Sequence, residues 1–108
     1  PELIKKRAQR LRRRIAAKIQ PVCQAVVTPT ISRVGGGALP EYGLDSWAVA
    51  LGSAQVEVAT LERDFRSLAV PLIGRIEHDR FLIDCRTVLD SDVAELGELL
   101  ISYFTQDI

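Results

Sequence analysis

Apolar residues recur along this chain in two rhythms. Ile4, Ala8, Leu11, Ile15 and Ile19 are three or four apart and make one stripe of a helix over residues 2–19, with charges on its other faces. Pro21 ends that helix, because the residue before a proline is pushed out of helical geometry. The rhythm then shortens. Residues 22–28, VCQAVVT, read as a strand that Pro29 either ends or places at a sheet edge. A second extended piece, 31–34, leads into Gly35, Gly36 and Gly37, and 38–45 read as an irregular connector. SWAVAL, 46–51, is a strand with Trp47, Val49 and Leu51 on one face. Ala48 and Ala50 take the other face, small enough to let another layer approach closely. A helix over 55–68 lines up Val58, Leu61, Phe65 and Leu68, supported by Glu62 and Arg66 at i and i+4. A last helix, 92–104, turns Val93, Leu96, Leu100 and Tyr103 inward, and the residues from Leu89 to Asp92 offer it caps.

The most ordered stretch is 70–88, VPLIGRIEHDRFLIDCRTV. Two strand-like runs flank His78-Asp79, the signal of a tight hairpin. That loop sets Glu77 opposite Arg80, Ile76 opposite Phe81, Arg75 opposite Leu82 and Gly74 opposite Ile83. One face then carries Leu72, Gly74, Ile76, Phe81, Ile83 and Cys85 and should cover the core. The other mixes Ile73 and Leu82 with Arg75, Glu77, Arg80, Asp84 and Arg86, with Arg75 diagonal to Asp84. Apolar residues among charges suggest that something outside the chain covers part of this face. A hairpin forces antiparallel pairing. The expected class is therefore α+β, a small and mainly antiparallel sheet with helices packed on one face.

At 108 residues the chain is one domain. No apolar run approaches the roughly 20 residues needed to span a bilayer, and the basic N-terminus has no apolar segment behind it to make a signal peptide. There is no methionine and the first residue is Pro1, so the sequence reads as an excised part of a longer protein. The formal charge is zero but divided. Residues 1–18 hold eight Lys/Arg against one acid, a net of +7, and residues 19–108 hold six Arg against thirteen acids, a net of −7. Such polarity steers anionic partners to the N-terminal end. Arg12, Arg13 and Arg14 are the candidates for nucleic-acid contact, against the plainer reading of a solvated helix face; no aromatic is interleaved for base stacking.

Catalytic chemistry is sparse. His78 is the only histidine and sits in a turn. Cys23 and Cys85, on predicted strands, read as buried thiols rather than a disulfide, and two Cys with one His make no metal site. The three lysines, Lys5, Lys6 and Lys18, lie on the charged helix, so no lysine is placed to form a Schiff base. Gly35, Gly36 and Gly37 either bring the backbone close to a ligand, cofactor or neighbouring domain, or form a flexible turn. They are not a phosphate loop, since no Lys-Ser/Thr follows.

Three blocks in order, VGGGALP (34–40), SWAVAL (46–51) and LERDFRSLAVPLIGRIEHDRFLIDCRTVL (61–89), resemble the C-terminal small domain of bacterial selenocysteine synthases, the L-seryl-tRNA(Sec) selenium transferases. These are fold-type I pyridoxal-phosphate proteins. The resemblance runs from about residue 7 to 105. It departs at Asp45, usually proline, at His78-Asp79, usually Asp-Gly, and at Cys85, usually leucine. It implies a parent enzyme that converts seryl-tRNA(Sec) to selenocysteinyl-tRNA(Sec) with selenophosphate and pyridoxal 5'-phosphate. The Schiff-base lysine would belong to a large domain upstream, with 1–20 the basic helix leading from it and 1–108 the small domain. A cytoplasmic homo-oligomer, inactive as an isolated segment, follows from the same likeness. Gly35, Gly36, Gly37, Arg75 and Arg86 become candidates for facing the substrate or the large domain. For the two arginines the alternative is structural pairing with Glu77 and Asp84. A lyase relative acting on a small amino acid or amino sugar, or an RNA-binding module using the first helix, are the other readings.

Overall fold

The apolar stripe of the first helix and the alternating strands find one another in a single layer of helices on a sheet. The computed structural model describes residues 2–33, 43–68 and 74–105. Its elements are α1 (Glu2–Ile19), β1 (Gln24–Arg33), β2 (Gly43–Gly52), α2 (Val58–Phe65), β3 (Gly74–Glu77), β4 (Arg80–Asp84) and α3 (Val93–Thr105), with a 3-10 turn at Asp90–Asp92. The sheet order is β1-β2-β4-β3, and every neighbouring pair is antiparallel. The α+β class with helices on one face is as the sequence implies.

The hairpin has the register its turn predicts, from Glu77 opposite Arg80 to Gly74 opposite Ile83. His78 and Asp79 both take positive φ, 53° and 62°, the backbone that a two-residue hairpin loop with matching twist demands. The residues before Gly74, Ile73 among them, lie outside the described residues.

Helix α1 packs on β1, β2 and α3, and α2 lies against β3 and β4. Ile4, Ala8, Leu11, Ile15 and Ile19 are all buried, as the stripe required. They meet Val49 and Leu51 of β2, Ile83 of β4, and Leu96 and Leu100 of α3. Each large side chain among them contributes about 1.5–3 kcal/mol by leaving water, so α1 is part of the core rather than an appendage. Phe65 of α2 closes one end, edge-on to Phe81 at 5.1 Å and to Tyr103 at 5.2 Å.

Several boundaries differ from the sequence reading. Of the two readings of Pro29 the edge one holds and the strand end does not: β1 runs through it to Arg33, and Pro29 sits opposite Trp47. Because β1 is an edge, the missing N–H costs no ladder bond. Strand β2 starts at Gly43, not Ser46, so the β1–β2 pair continues past β4, which pairs only with Ala48–Leu51. Helix α2 begins at Val58 rather than 55, after a turn in which the Ser53 hydroxyl accepts from the Gln55 and Val56 amides at 3.0 and 3.1 Å. Cys23 and Cys85 flank strands rather than lie in them; both are buried and free. No Asp or Ser side chain caps the 3-10 turn, whose N-cap is Leu89. At the last helix Phe104 is buried, while Tyr103 stays half-buried and donates its hydroxyl to Asp64 Oδ2 at 2.6 Å.

Candidate functional site

The sheet face turned away from the helices carries the arginines singled out in the sequence. Alternation places Thr30 of β1, Ser46, Ala48 and Ala50 of β2, Leu82 and Asp84 of β4 and Arg75 of β3 on this face. Ala48, Ala50 and Leu82 form a small apolar patch there, at most 3% exposed. Leu82 is therefore buried within the chain itself and does not need an outside partner to cover it. Over the patch lies Arg75. Its Nε donates to Glu77 Oε2 at 2.6 Å, one terminal nitrogen donates to the Ile31 carbonyl at 3.1 Å and to the Thr30 hydroxyl, and the other stands 3.6 Å from Asp84 Oδ2. The two edge strands thus come within one arginine's reach of each other, and the small alanines leave the room for it.

Asp84 anchors the network from below. It is 3% exposed, and its Oδ1 accepts from the Ser46 hydroxyl at 2.7 Å and from the Arg86 amide at 3.1 Å. Arg86 donates a terminal N–H to the Asp45 carbonyl, while its Nε is buried with no hydrogen-bond partner. Arg75 is thus paired with Glu77 and Asp84, the structural alternative weighed for it. The sequence set Glu77 opposite Arg80, and it is; but Glu77 pairs with Arg75 two residues earlier on the same face. Ser46 and Thr30 were not singled out from the sequence. The signal was there for Ser46, an alternating position on the same face as Ala48 and Ala50. Gly35, Gly36 and Gly37 lie outside the described residues.

The basic run on α1 spreads out. Successive helical residues are turned by about 100°, so Arg12, Arg13 and Arg14 take three directions. Arg12 donates Nε–H to the Ala25 carbonyl of β1 at 3.0 Å. Arg14 lies over Gly97 of α3, where a Cβ would come within 2.7 Å of its Cδ. Arg13 is exposed. Arg7 and Arg10, which the sequence reading left among the charged faces, converge on Asp90 Oδ1 at 3.1 and 3.2 Å. Lys5 stands 4.7 Å over the ring of Trp47, a cation–π contact joining the start of α1 to β2.

Neither described thiol is activated as a nucleophile. Burial pushes the Cys23 thiol up to about 11 and the Cys85 thiol to about 12, so both stay protonated near neutral pH. No cluster of His, Cys, Asp and Glu among the described residues could hold a metal. No described helix is long and apolar enough to cross a membrane. His78 is an exposed turn residue.

A family model described as L-seryl-tRNA selenium transferase matches residues 1–89. The chain is 43% identical over 105 residues to the L-seryl-tRNA(Sec) selenium transferase of Desulfotalea psychrophila, covering 97% of this chain and 22% of that protein. It is 36% identical to the transferase of the same name from Carboxydothermus hydrogenoformans, over 99% of this chain and 23% of that one. With the protein of that name from Desulfomicrobium baculatum it shares 34% identity over 87% of this chain and 20% of the relative. The chain spans about a fifth of the length of the curated relatives it matches.

Proposed function

Because the chain belongs to the L-seryl-tRNA selenium transferase family, we propose that it is the C-terminal small domain of an enzyme making selenocysteinyl-tRNA(Sec) from seryl-tRNA(Sec) and selenophosphate. The observation that carries this reading is the family match over residues 1–89 together with relatives of one name aligned along nearly the whole chain. In this reading residues 1–20 lead from a larger domain, and the protein is a cytoplasmic homo-oligomer. A lyase acting on a small amino acid or amino sugar is not favoured, since each relative compared carries the transferase name.

Pyridoxal 5'-phosphate is the cofactor the family implies, and the described residues do not fit its attachment. A Schiff-base lysine needs to shed its proton in a desolvated pocket. Lys6 and Lys18 are exposed on a cationic helix, and Lys5 is held over Trp47. In this reading the cofactor lysine would lie outside residues 1–108, whose only lysines are Lys5, Lys6 and Lys18. What this segment offers is a rigid surface: the Arg75–Asp84 network on one side and the cationic outer face of α1 on the other. Gly35–Gly37, Arg75 and Arg86 stay the candidates for facing the substrate or the larger domain. For Arg86 the support is its buried Nε without a partner, a donor that a carboxylate or phosphate could use.

The test uses the full-length protein. With pyridoxal phosphate, selenophosphate and seryl-tRNA(Sec), selenocysteinyl-tRNA(Sec) is the expected product. Borohydride reduction followed by peptide mapping should find the modified lysine outside this segment. A modified Lys5, Lys6 or Lys18, or no transfer to seryl-tRNA(Sec), would overturn the proposal.

A further inference from the structure

Between the outer side of α1 and edge strand β1 runs a cleft of about 430 Å³, lined by Gln9, Arg12, Arg13, Val26 and Val27. Val26 and Val27 border it on the strand side: Val27 lies on the helix-facing side of β1, while Val26, opposite Ala50, belongs to the far face and is 47% exposed at the rim along the strand edge. Its wall is cationic. The bond from Arg12 Nε to the Ala25 carbonyl fixes that side chain, and its terminal nitrogens have no protein partner among the described residues. Arg13 has neither ion pair nor hydrogen bond among them. Arg7 and Arg10 are committed to Asp90, and Arg14 lies outside the cleft, its side chain over Gly97 of α3.

We propose that this cleft holds a stretch of RNA backbone, with phosphates on Arg12 and Arg13 and a sugar edge passing over the rim at Val26. The proposal rests on the tRNA-dependent function above. The guanidinium fork matches a phosphate and holds its charge at any physiological pH. No aromatic side chain lines the cleft, so it reads backbone and shape rather than bases. An acidic peptide is the poorer fit. It would have to add a strand to β1, yet Arg12 already occupies the Ala25 carbonyl and Pro29 supplies no N–H. The excess of +7 in residues 1–18 adds the long-range attraction.

Affinity of the full-length protein for tRNA(Sec) is measured against salt concentration for the wild type, Arg13→Gln, the Arg12→Gln/Arg13→Gln pair, Val26→Glu and Arg14→Gln. Each groove arginine removed should reduce the slope of log affinity against log salt by about 0.7–0.9, a loss of roughly five- to tenfold near 0.1 M salt. Val26→Glu should weaken binding while leaving every cation in place. Arg14→Gln removes the same charge outside the cleft and should leave the slope unchanged. An Arg14→Gln effect equal to that of Arg13→Gln would mean diffuse attraction and overturn the cleft. Unchanged binding in the Arg12/Arg13 pair and in Val26→Glu would overturn it too while leaving the transferase reading standing. Displacement of bound tRNA by polyglutamate at lower charge concentration than by unrelated RNA would assign the cleft to an acidic protein. A wild type that does not bind tRNA(Sec) at all would remove the functional reading itself.

Discussion

Gly74 shows how much one absent methyl group can decide. It faces Ile83 across the hairpin, and the ring of Phe81, diagonal to it, lies over its Cα. A Cβ at this position would stand 2.1 Å from Phe81 Cζ, 2.6 Å from Cε2 and 3.0 Å from the Leu82 carbonyl oxygen. Phe81 cannot simply swing away, being 2% exposed and wedged against Phe65 at 5.1 Å. Gly74→Ala should therefore destabilise the fold by about 1–3 kcal/mol, the usual cost of overpacking. Urea denaturation measures it, and a double-mutant cycle identifies the cause: in a Phe81→Ala background the same substitution should cost almost nothing. An equal cost in both backgrounds would place the strain in the backbone instead. The sequence disclosed the pairing of Gly74 with Ile83, because alternation and a two-residue turn dictate register. It did not disclose why glycine is needed, because that depends on a rotamer of Phe81.

Elements were legible where local chemistry alone decides them. The hairpin and the buried stripe of α1 follow from turn residues and periodicity. The course of β1 through Pro29 does not, because a proline is tolerated only where a neighbouring strand is missing, and strand order is a tertiary fact. The charges of α1 show the same limit. Consecutive arginines look like one patch in print, whereas the helix sends them to a strand edge, a cleft and a neighbouring helix. Only two, Arg7 and Arg10, share a described carboxylate, that of Asp90 in the turn before α3. Their bonding and charge hold the Asp90 carboxyl below its ordinary value of 3.8, Arg7 more than Arg10. A depressed carboxyl contributes stability above its unfolded value and loses it as pH falls through the folded one. The difference in urea midpoint between wild type and Asp90→Asn should thus be present at neutral pH and vanish well below pH 3.8. It should also shrink in high salt, since Asp90 is 68% exposed. A difference that persists in acid would show that Asp90 acts by shape rather than charge.

For the molecule as a whole, the helix layer secures one face of the sheet and Arg75 the other. This is the part of the candidate site that sequence reasoning could not assemble. Alternation placed Arg75 beside Glu77 and Asp84, but Thr30 and Ile31 lie more than forty positions away and on the opposite edge strand. Only a curled sheet lined by Ala48 and Ala50 brings them under one guanidinium. Removing that group leaves Asp84 nearly buried, though still held by Ser46 and the Arg86 amide. Arg75 itself is 27% exposed, so solvent shares the loss. Arg75→Gln should accordingly destabilise by roughly 1–3 kcal/mol. Arg75→Lys should recover only part, because an ammonium cannot span four acceptors in a fixed fork. Trp47 is the only tryptophan and sits opposite Pro29, next to Thr30 on the far strand. Its emission therefore reports on the β1–β2 pair, while far-ultraviolet circular dichroism reports mainly on the three helices. If Arg75 ties the strand edges together, the fluorescence transition of Arg75→Gln in urea should precede the helical one, whereas both coincide in the wild type. Coincident transitions in the variant would mean that the helix layer alone holds β1 in place and that Arg75 is free to serve a partner on the exposed side of the sheet.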